Sequence, residues 1–146
     1  MKVYRVERKG NGPYNMSAPE YWSISDSLDW CDIKFNMEEA HCDYEHPSWK
    51  VELWDYDGDN NYEWISPEYK SCFTNTDDLI SWFYGFFADL HRFEFVMAVY
   101  DVPKESVIVG SRQAVTKLGD EIPVESIKFH KFIDVDTDAY QGRYNG

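Results

Sequence analysis

The feature that most constrains the fold is the run from Asp77 to His91, in which apolar residues recur three or four positions apart. This spacing predicts a mostly buried α-helix with a wide apolar face. Thr76 is the expected N-cap, and Asp77 and Asp78 fall in the first turn, where the helix dipole favours negative charge. Gly85 costs about 1 kcal/mol relative to Ala inside a helix, which indicates close packing against a neighbouring backbone. The apolar face comprises Leu79, Ile80, Trp82, Phe83, Phe86, Phe87 and Leu90.

Segments on both sides of this helix are typical of β-strands. Residues 2–8 predict a first strand that ends in a turn at Gly10–Pro13, and residues 93–100 predict a long central strand. Three shorter strands are predicted over 106–109, 113–118 and 125–133. The sequence therefore predicts an α+β fold, in which a mixed, mainly antiparallel sheet of about five to seven strands packs on one long helix, about 77–91, with short extra helices.

The first half of the chain carries weaker signals. Ser17–Glu20 resembles a capping box with Pro in the first turn and predicts a short helix, and Asn36–Ala40 predicts the start of another. Residues 50–54 and 61–65 predict the two strands of a hairpin around a turn at Asp57–Asn60.

The chain is acidic, and the acidity is concentrated in one segment. The net charge is −13, and residues 17–63 hold 13 acidic residues against Lys34 and Lys50. This excess disfavours sequence-independent binding to nucleic acid or to an anionic membrane, because phosphate contacts need Lys and Arg.

The acidic segment 17–63 is also rich in aromatic residues, which argues against a disordered acidic tail. We interpret it as a folded acidic surface that either keeps the protein soluble or meets a basic surface on a partner. In the second case, aromatic side chains serve as anchors and carboxylates supply the charge. The candidate partner-binding residues are Trp49, Trp54, Asp55, Tyr56, Asp57, Asp59, Tyr62, Glu63 and Trp64.

Length and composition limit the class of protein further. With 146 residues, of which 43 % are hydrophobic, the chain fits one domain over 1–146 that ends in a frayed polar tail at 135–146. No apolar run approaches the ~20 residues of a membrane span, and the N-terminal residues lack the apolar core of a signal peptide. The three cysteines, Cys31, Cys42 and Cys72, are an odd number, which favours a reducing cytoplasm.

Two stretches are rich in metal-ligand residue types, but neither predicts a metal site. Asp55–Asn60 begins like an EF-hand loop, yet loop positions 6 and 12 are Asn60 and Ser66 instead of Gly and Glu, which favours an acidic hairpin turn. Residues 41–46 hold two His and one Cys, whereas structural zinc needs four ligands in paired clusters. Phosphate-binding glycine loops and nucleophile motifs such as G-x-S-x-G are also absent from the sequence. We therefore expect neither a metal nor a cofactor.

Four short motifs resemble those of small uncharacterised phage-type proteins. In one-letter form they are VYR, GPY, F-T-x-x-x-x-L-x-x-WF and G-x-x-Q, and they span most of the chain. They correspond to Val3-Tyr4-Arg5, Gly12-Pro13-Tyr14, the stretch from Cys72-Phe73-Thr74 through Leu79 to Trp82-Phe83, and Gly110-Ser111-Arg112-Gln113. The resemblance implies a protein of a phage or other mobile element, located in the cytoplasm of an infected bacterial cell.

Three residues within these motifs also resemble the site of the ADP-ribosyltransferase-like fold, which places an Arg or His on the first strand, a Ser/Thr motif on a middle strand and a Glu on a late strand. By this resemblance Arg5 would hold the phosphates or ribose of NAD, Thr74 would order the site, and Gln113 stands where the family has Glu. A carboxylate there stabilises the positive charge that develops at the anomeric carbon. Because Gln113 is neutral, the resemblance implies a departure from that activity or a degenerate relative. The simpler alternative places Arg5 on a strand surface, Thr74 in a helix cap and Gln113 at a strand edge.

The sequence thus supports two hypotheses of function. The first is a non-enzymatic acidic protein that binds and inhibits a basic nucleic-acid-handling host protein, with carboxylates standing in for phosphates. The second is an NAD-dependent enzyme with Arg5, Thr74 and Gln113 as catalytic residues and NAD as cofactor. Both hold together if a degenerate enzyme scaffold has become a binding protein.

Overall fold

The fold combines helices and antiparallel strands, as predicted. A computed structural model describes residues 1–40, 69–110 and 112–134. The helices in these ranges are α1 (Ile24–Ala40), α2 (Thr76–Trp82) and α3 (Phe87–Arg92). The strands are β1 (Lys2–Glu7), β2 (Tyr69–Cys72), β3 (Val96–Asp101), β4 (Val107–Val109), β5 (Ala114–Lys117) and β6 (Glu125–Lys128). Short 3₁₀ turns cover Pro13–Asn15, Lys104–Ser106 and Phe129–Phe132.

The described strands form two antiparallel sheets of three strands each. In the first sheet β3 lies between β1 and β6, and in the second β5 lies between β2 and β4. Tyr4 of β1 and Phe73, just after β2, exchange two backbone hydrogen bonds of 2.8 Å that connect the two sheets. The prediction of one sheet of five to seven strands packed on a single long helix is therefore wrong, because the strands are divided between two sheets.

Strand β1 is buried on both faces, since Val3 on one side and Val6 on the other are both buried. Val3 faces the smaller of two apolar clusters, together with Ala98 and Tyr100 of β3. Val6 faces the larger cluster, together with Met97. The first sheet is therefore the middle layer of the described structure.

The larger cluster is built mainly from aromatic rings. Trp30 of α1 packs against Phe93 and Phe95, with ring centroids 5.3 and 5.1 Å apart. Phe87 of α3 stacks on Phe129 at 5.4 Å. Rings at these separations bury large apolar areas and prefer offset or tilted geometries, so this cluster anchors α1 and α3 on the first sheet.

The single helix predicted over 77–91 is two shorter helices. The chain leaves α2 at Phe83, turns through Gly85 with φ of +95°, and enters α3 at Phe87. Apolar residues on both sides of the break are buried, so the apolar stripe continues from α2 into α3. Helix α2 begins one residue earlier than expected, since Asn75 is its N-cap and accepts a 2.8 Å hydrogen bond from the backbone N–H of Asp78.

The longest described helix, α1, lies where two short helices were expected. Ser17–Glu20 is not helical, and Asn36–Ala40 is the last part of α1 instead of the start of a new helix. The cap is Ser23, whose Oγ accepts a 3.1 Å hydrogen bond from the backbone N–H of Asp26.

Two predicted strands differ at their ends. The strand predicted from Phe93 starts at Val96, because Phe93–Phe95 form the turn that ends α3. The strand predicted over 125–133 stops at Lys128 and continues as a 3₁₀ turn. The hairpin expected over 50–65 and the tail 135–146 lie outside the described residues.

Replacing Gly85 with Ala tests the break between α2 and α3. Gly85→Ala forces a Cβ into a backbone conformation of positive φ, and we expect a loss of about 1–2 kcal/mol in the free energy of unfolding. Gly12→Ala is the matched control, since Gly12 has φ of −71° and a Cβ there would make an ordinary 3.6 Å contact with Arg5 Nη2. Urea unfolding of both variants gives the comparison. Equal effects would show that the positive φ of Gly85 contributes nothing to stability.

Candidate functional site

Arg5, expected to hold NAD, is buried in an ion pair within the protein. Its Nε donates to Glu7 Oε2 at 3.1 Å, and its Nη1 donates to the backbone carbonyl of Ser71 at 2.6 Å. Its side chain is only 7 % exposed and that of Glu7 only 6 %. The guanidinium therefore connects β1 to β2 by contacts inside the chain.

Two further polar side chains beside Arg5 and Glu7, those of Tyr100 and Cys72, are uncharged. Tyr100 donates a 2.6 Å hydrogen bond to Glu7 Oε1. Burial, together with the hydrogen bond to Glu7, raises the pKa of Tyr100 above its ordinary value. Burial also raises the pKa of the Cys72 thiol to about 12, so Cys72 is a protonated core residue and a poor nucleophile.

Thr74 and Gln113 lie at the edge of the same region. Cys72, the last residue of β2, pairs with Ala114, the first residue of β5, so Thr74 lies two residues beyond the end of β2 and Gln113 directly precedes β5. Both residues are half-buried, and the backbone carbonyl of Gln113 accepts a 2.7 Å hydrogen bond from Gly110. The topology thus brings the neighbourhoods of Arg5, Thr74 and Gln113 together, while the guanidinium of Arg5 contacts Glu7 and Ser71.

The predicted partner-binding residues, Trp49 to Trp64, all lie outside the described residues. The acidic segment 17–63 is described only as far as Ala40, and this part contains α1. Within the described residues, α1 is therefore the helical part of the acidic segment that can offer a contact surface.

The outward face of α1 carries a row of exposed apolar side chains. Ile24, Leu28 and Phe35 are 82 %, 61 % and 60 % exposed, and Cys31 between them is exposed as well. Their spacing of four, three and four residues places them on one side of the helix. At 1.5 Å per residue, the row is about 16 Å long. We call it the outer face of α1.

Carboxylates flank this outer face. Asp32 and Glu39 lie four residues after Leu28 and Phe35, so each is the helical neighbour of an exposed apolar residue, and both are exposed. Glu38 is exposed on the other flank. The basic residue of α1, Lys34, points away and donates to the backbone carbonyl of Met16 at 3.4 Å. The outer face is therefore apolar along its centre and acidic along its sides.

The opposite side of α1 fixes the helix to the protein. Trp30 and Met37 are buried, and Trp30 Nε1 donates to the carbonyl of Met16 at 3.2 Å. Arg92, at the end of α3, donates to Asp26 at 3.1 Å and to Asp29 at 2.7 Å. The hydrogen bond to Asp29, with that to Asp26, raises the pKa of Arg92.

Sequence reasoning missed the outer face, although its spacing was visible. Ile24, Leu28, Cys31 and Phe35 follow a heptad-like pattern, and Ser23 with Asp26 marks the start of a helix. Because Trp30, Ile33 and Met37 supply a second apolar side, the segment lacks the contrast between one apolar and one polar face that identifies a helix.

The described part of the chain has neither a metal-ligand cluster nor a membrane-spanning helix. No cluster of three or more His, Cys, Asp or Glu side chains suited to a metal ion occurs within 1–40, 69–110 and 112–134. In the same ranges, no helix combines the length and apolar character that a membrane crossing requires.

Comparison with known proteins identifies the family. The family model described as bacteriophage T4 Y00F protein matches residues 1–130. The chain belongs to the bacteriophage T4 Y00F protein family. This match confirms the expectation of a phage-type protein. Neither the curated proteins nor the solved structures gave a match to this Y00F-family chain.

Replacing Tyr100 with Phe tests the buried cluster. Tyr100→Phe removes the hydrogen bond to Glu7, and we expect a loss of about 1–3 kcal/mol in the free energy of unfolding at neutral pH, since a buried carboxylate loses a donor. Because folding raises the pKa of Tyr100 above 10.0, the folded state keeps a proton that the unfolded state releases. The stabilisation that Tyr100 gives the folded state is thus fully present below pH 10 and is lost as the pH rises through the raised pKa.

The difference in unfolding free energy between the wild type and Tyr100→Phe should therefore narrow above pH 10. Urea titrations at several pH values measure this difference. Burial also raises the pKa of Tyr14, but Tyr14 is present in both proteins, so its effect on stability cancels in the difference. A difference that stays constant with pH would contradict the raised pKa.

Proposed function

We propose that this phage-family protein binds a basic surface of a nucleic-acid-handling protein of the bacterial host and inhibits it, and that the outer face of α1 is part of the contact. The carboxylates of the protein would occupy positions that nucleic-acid phosphates otherwise take. The observation that carries the proposal is the row of exposed apolar side chains on α1 with carboxylates along both sides.

The apolar centre of the face supplies the first part of the argument. Water-exposed apolar residues are common singly, but a continuous row of them on one helix face is typical of a contact surface. Phe35 is a large ring that buries substantial area on binding, and aromatic anchors dominate the energetics of many interfaces. An α-helix with an apolar row suits a groove or a second helix on the partner.

The charge around the face supplies the second part. Asp32, Glu38 and Glu39 surround the apolar row, and the whole protein carries a net charge of −13. A partner with Lys and Arg beside an apolar groove would complement both features, and opposite charge speeds the encounter of two proteins. Nucleic-acid-binding proteins have such basic surfaces.

A second copy of the chain is a poorer occupant of the same face. Pairing two outer faces would bring the carboxylates of Asp32, Glu38 and Glu39 close to those of the other copy. Like charges across an interface destabilise it, and the strongly negative net charge of each copy adds to the repulsion. The acidic flanks therefore favour a basic partner.

Substitutions on the outer face test the proposal. The double variant Leu28→Ser, Phe35→Ser removes the two central apolar side chains, which are 61 % and 60 % exposed. We expect affinity for the basic partner to fall at least about tenfold, because truncating apolar anchors typically costs more than 1 kcal/mol each. The partner is first captured from host lysate at low salt, purified, and then titrated with each variant.

The matched control removes apolar residues of similar exposure elsewhere. Ile122 and Val124, 82 % and 63 % exposed, are replaced by Ser, and binding should be unchanged. Binding by the wild type should weaken as salt rises, since salt screens the attraction between the acidic and basic surfaces. Equal loss in both double variants, or an affinity that is flat with salt, would reject the outer face as an acidic docking site.

The alternative function, an NAD-dependent ADP-ribosyltransferase-like enzyme, makes a separate prediction. Because the guanidinium of Arg5 contacts Glu7 and Ser71, we expect no heat of binding in calorimetry with millimolar NAD. If NAD does give a heat of binding, and Thr74→Ala or Gln113→Ala reduces it, the result would instead favour the enzyme hypothesis. Arg5→Ala is a poor choice for this test, since it leaves the Glu7 carboxylate buried without its ion pair.

A further inference from the structure

A cavity of about 340 Å³ lies where the end of β1, the start of α1 and the end of α3 meet. Guanidinium groups, carboxylates and aromatic rings all line it. The lining residues are Arg8, Tyr21, Trp22, Asp26, Arg92, Phe93 and Glu94. None of them belongs to the outer face of α1, so this cavity is a separate feature.

Arg8 lines this cavity with a buried side chain, and its hydrogen bonding is incomplete. Its side chain is 9 % exposed, and its guanidinium carbon lies 5.3 Å from the centre of the Trp22 ring. Nη2 donates to the Tyr21 hydroxyl at 3.1 Å and to Glu94 Oε2 at 3.2 Å. Within the described structure, the buried Nε of Arg8 has no hydrogen-bond partner. The fork of donors that an oxyanion can accept from is thus only half used.

Glu94 adopts an unusual backbone conformation beside Arg8. Helix α3 ends with a hydrogen bond from Phe95 N–H to the Leu90 carbonyl and another from Glu94 N–H to the His91 carbonyl, the pattern of a Schellman motif. The residue in the left-handed position of this motif is usually Gly, but here it is Glu94, with φ of +67°. A strained backbone at such a position points to a function for the side chain.

The Glu94 side chain is 77 % exposed, although its carboxylate contacts the buried Arg8. It is therefore free to move into water without disturbing the core. Burial lowers the pKa of Arg8, but the hydrogen bonds to Tyr21 and Glu94 outweigh burial and leave the pKa raised, so Arg8 stays charged. A charged, buried guanidinium faced by one exposed carboxylate is a site that an external anion can enter by exchange.

We propose that the cavity binds the phosphate group of a small phosphate-bearing ligand, which displaces Glu94 from Arg8. A phosphate has enough acceptor oxygens to take hydrogen bonds from both Nε and Nη2 of Arg8, whereas Glu94 accepts from Nη2 alone. The Glu94 carboxylate is the internal stand-in for this group in the unliganded protein.

Two neighbouring features fit the rest of the ligand. Arg92 lines the same cavity, and its guanidinium carbon lies 4.7 Å from the centre of the Phe93 ring. It provides a second cation near the phosphate, although Asp26 and Asp29 already neutralise part of its charge. The Tyr21 ring, 72 % exposed at the rim, offers a surface for a planar group attached to the phosphate.

The test follows the Arg8 side chain directly by NMR. Inorganic phosphate and phenyl phosphate are titrated into the full chain at constant ionic strength, and the Nε–H resonance of Arg8 and the indole N–H resonance of Trp22 are followed. A saturable shift of both resonances supports the proposal. Tighter binding of phenyl phosphate indicates a phosphate ester, and equal binding indicates free phosphate. The absence of a saturable shift with both compounds overturns the proposal.

Variants separate displacement of Glu94 from general attraction of anions. Glu94→Gln keeps the size of the side chain but removes the competing charge, and we expect it to tighten binding about tenfold. Arg8→Lys keeps the charge but loses the fork, and should weaken binding at least about tenfold. If Arg8→Lys fails to fold, the change in phosphate affinity caused by Glu94→Gln tests the proposal by itself.

The control for overall charge is Glu105→Gln, which removes one exposed carboxylate that does not line the cavity. It should leave binding unchanged. Equal tightening by Glu94→Gln and Glu105→Gln would overturn the proposal, because binding would then depend only on net charge.

Discussion

The burial of charged residues on β1 is the constraint on which the rest of the described structure depends. A charge taken out of water is costly unless hydrogen bonds and an opposite charge compensate it. Arg5 and Glu7 compensate each other, and Ser71 and Tyr100 complete their hydrogen bonds. These contacts reach from β1 to β2 and β3. The position of the second sheet against the first is thus tied to a polar cluster, which is more directional than apolar packing.

The local elements that the sequence predicted well are those with a single strong signal. Strand β1 and the turn after it follow from alternation and from glycine. The turn lies at Lys9–Gly10, one residue before the predicted start at Gly10, and both residues have positive φ, as a two-residue hairpin turn between Arg8 and Asn11 requires. Helix α1 could not be recognised in the same way, because it has an inner apolar side that packs on the core and an outer apolar row that does not. Hydrophobic periodicity identifies a helix only when one face is more hydrophobic than the other, and in α1 the two faces differ little in hydrophobicity.

Other failures of prediction come from residues whose surroundings override their pattern. The apolar stripe from Leu79 to Leu90 continues through Gly85, so a pattern of burial alone cannot reveal the positive φ that divides it. The left-handed backbone of Glu94 is harder still, because Glu has no preference for that conformation. For the site, Arg5 was identified as a special residue, but the sequence could not show that Glu7, two positions away, would pair with it inside the protein.

The two proposed sites use opposite chemistry, and they meet α1 on different sides, since the only α1 residue among those that line the cavity is Asp26. Asp26 and Asp29 turn toward α3, where Arg92 holds them. Leu28 and Phe35 lie on another side of α1 and are mostly exposed. An acidic, apolar surface suits a basic partner, whereas the cavity centred on Arg8 suits an anion, so one ligand cannot satisfy both. Changes on the outer face should therefore leave the cavity intact, whereas filling the cavity could influence the position of α1 through the ion pairs of Arg92 with Asp26 and Asp29 and through the contact between the Phe93 and Trp30 rings.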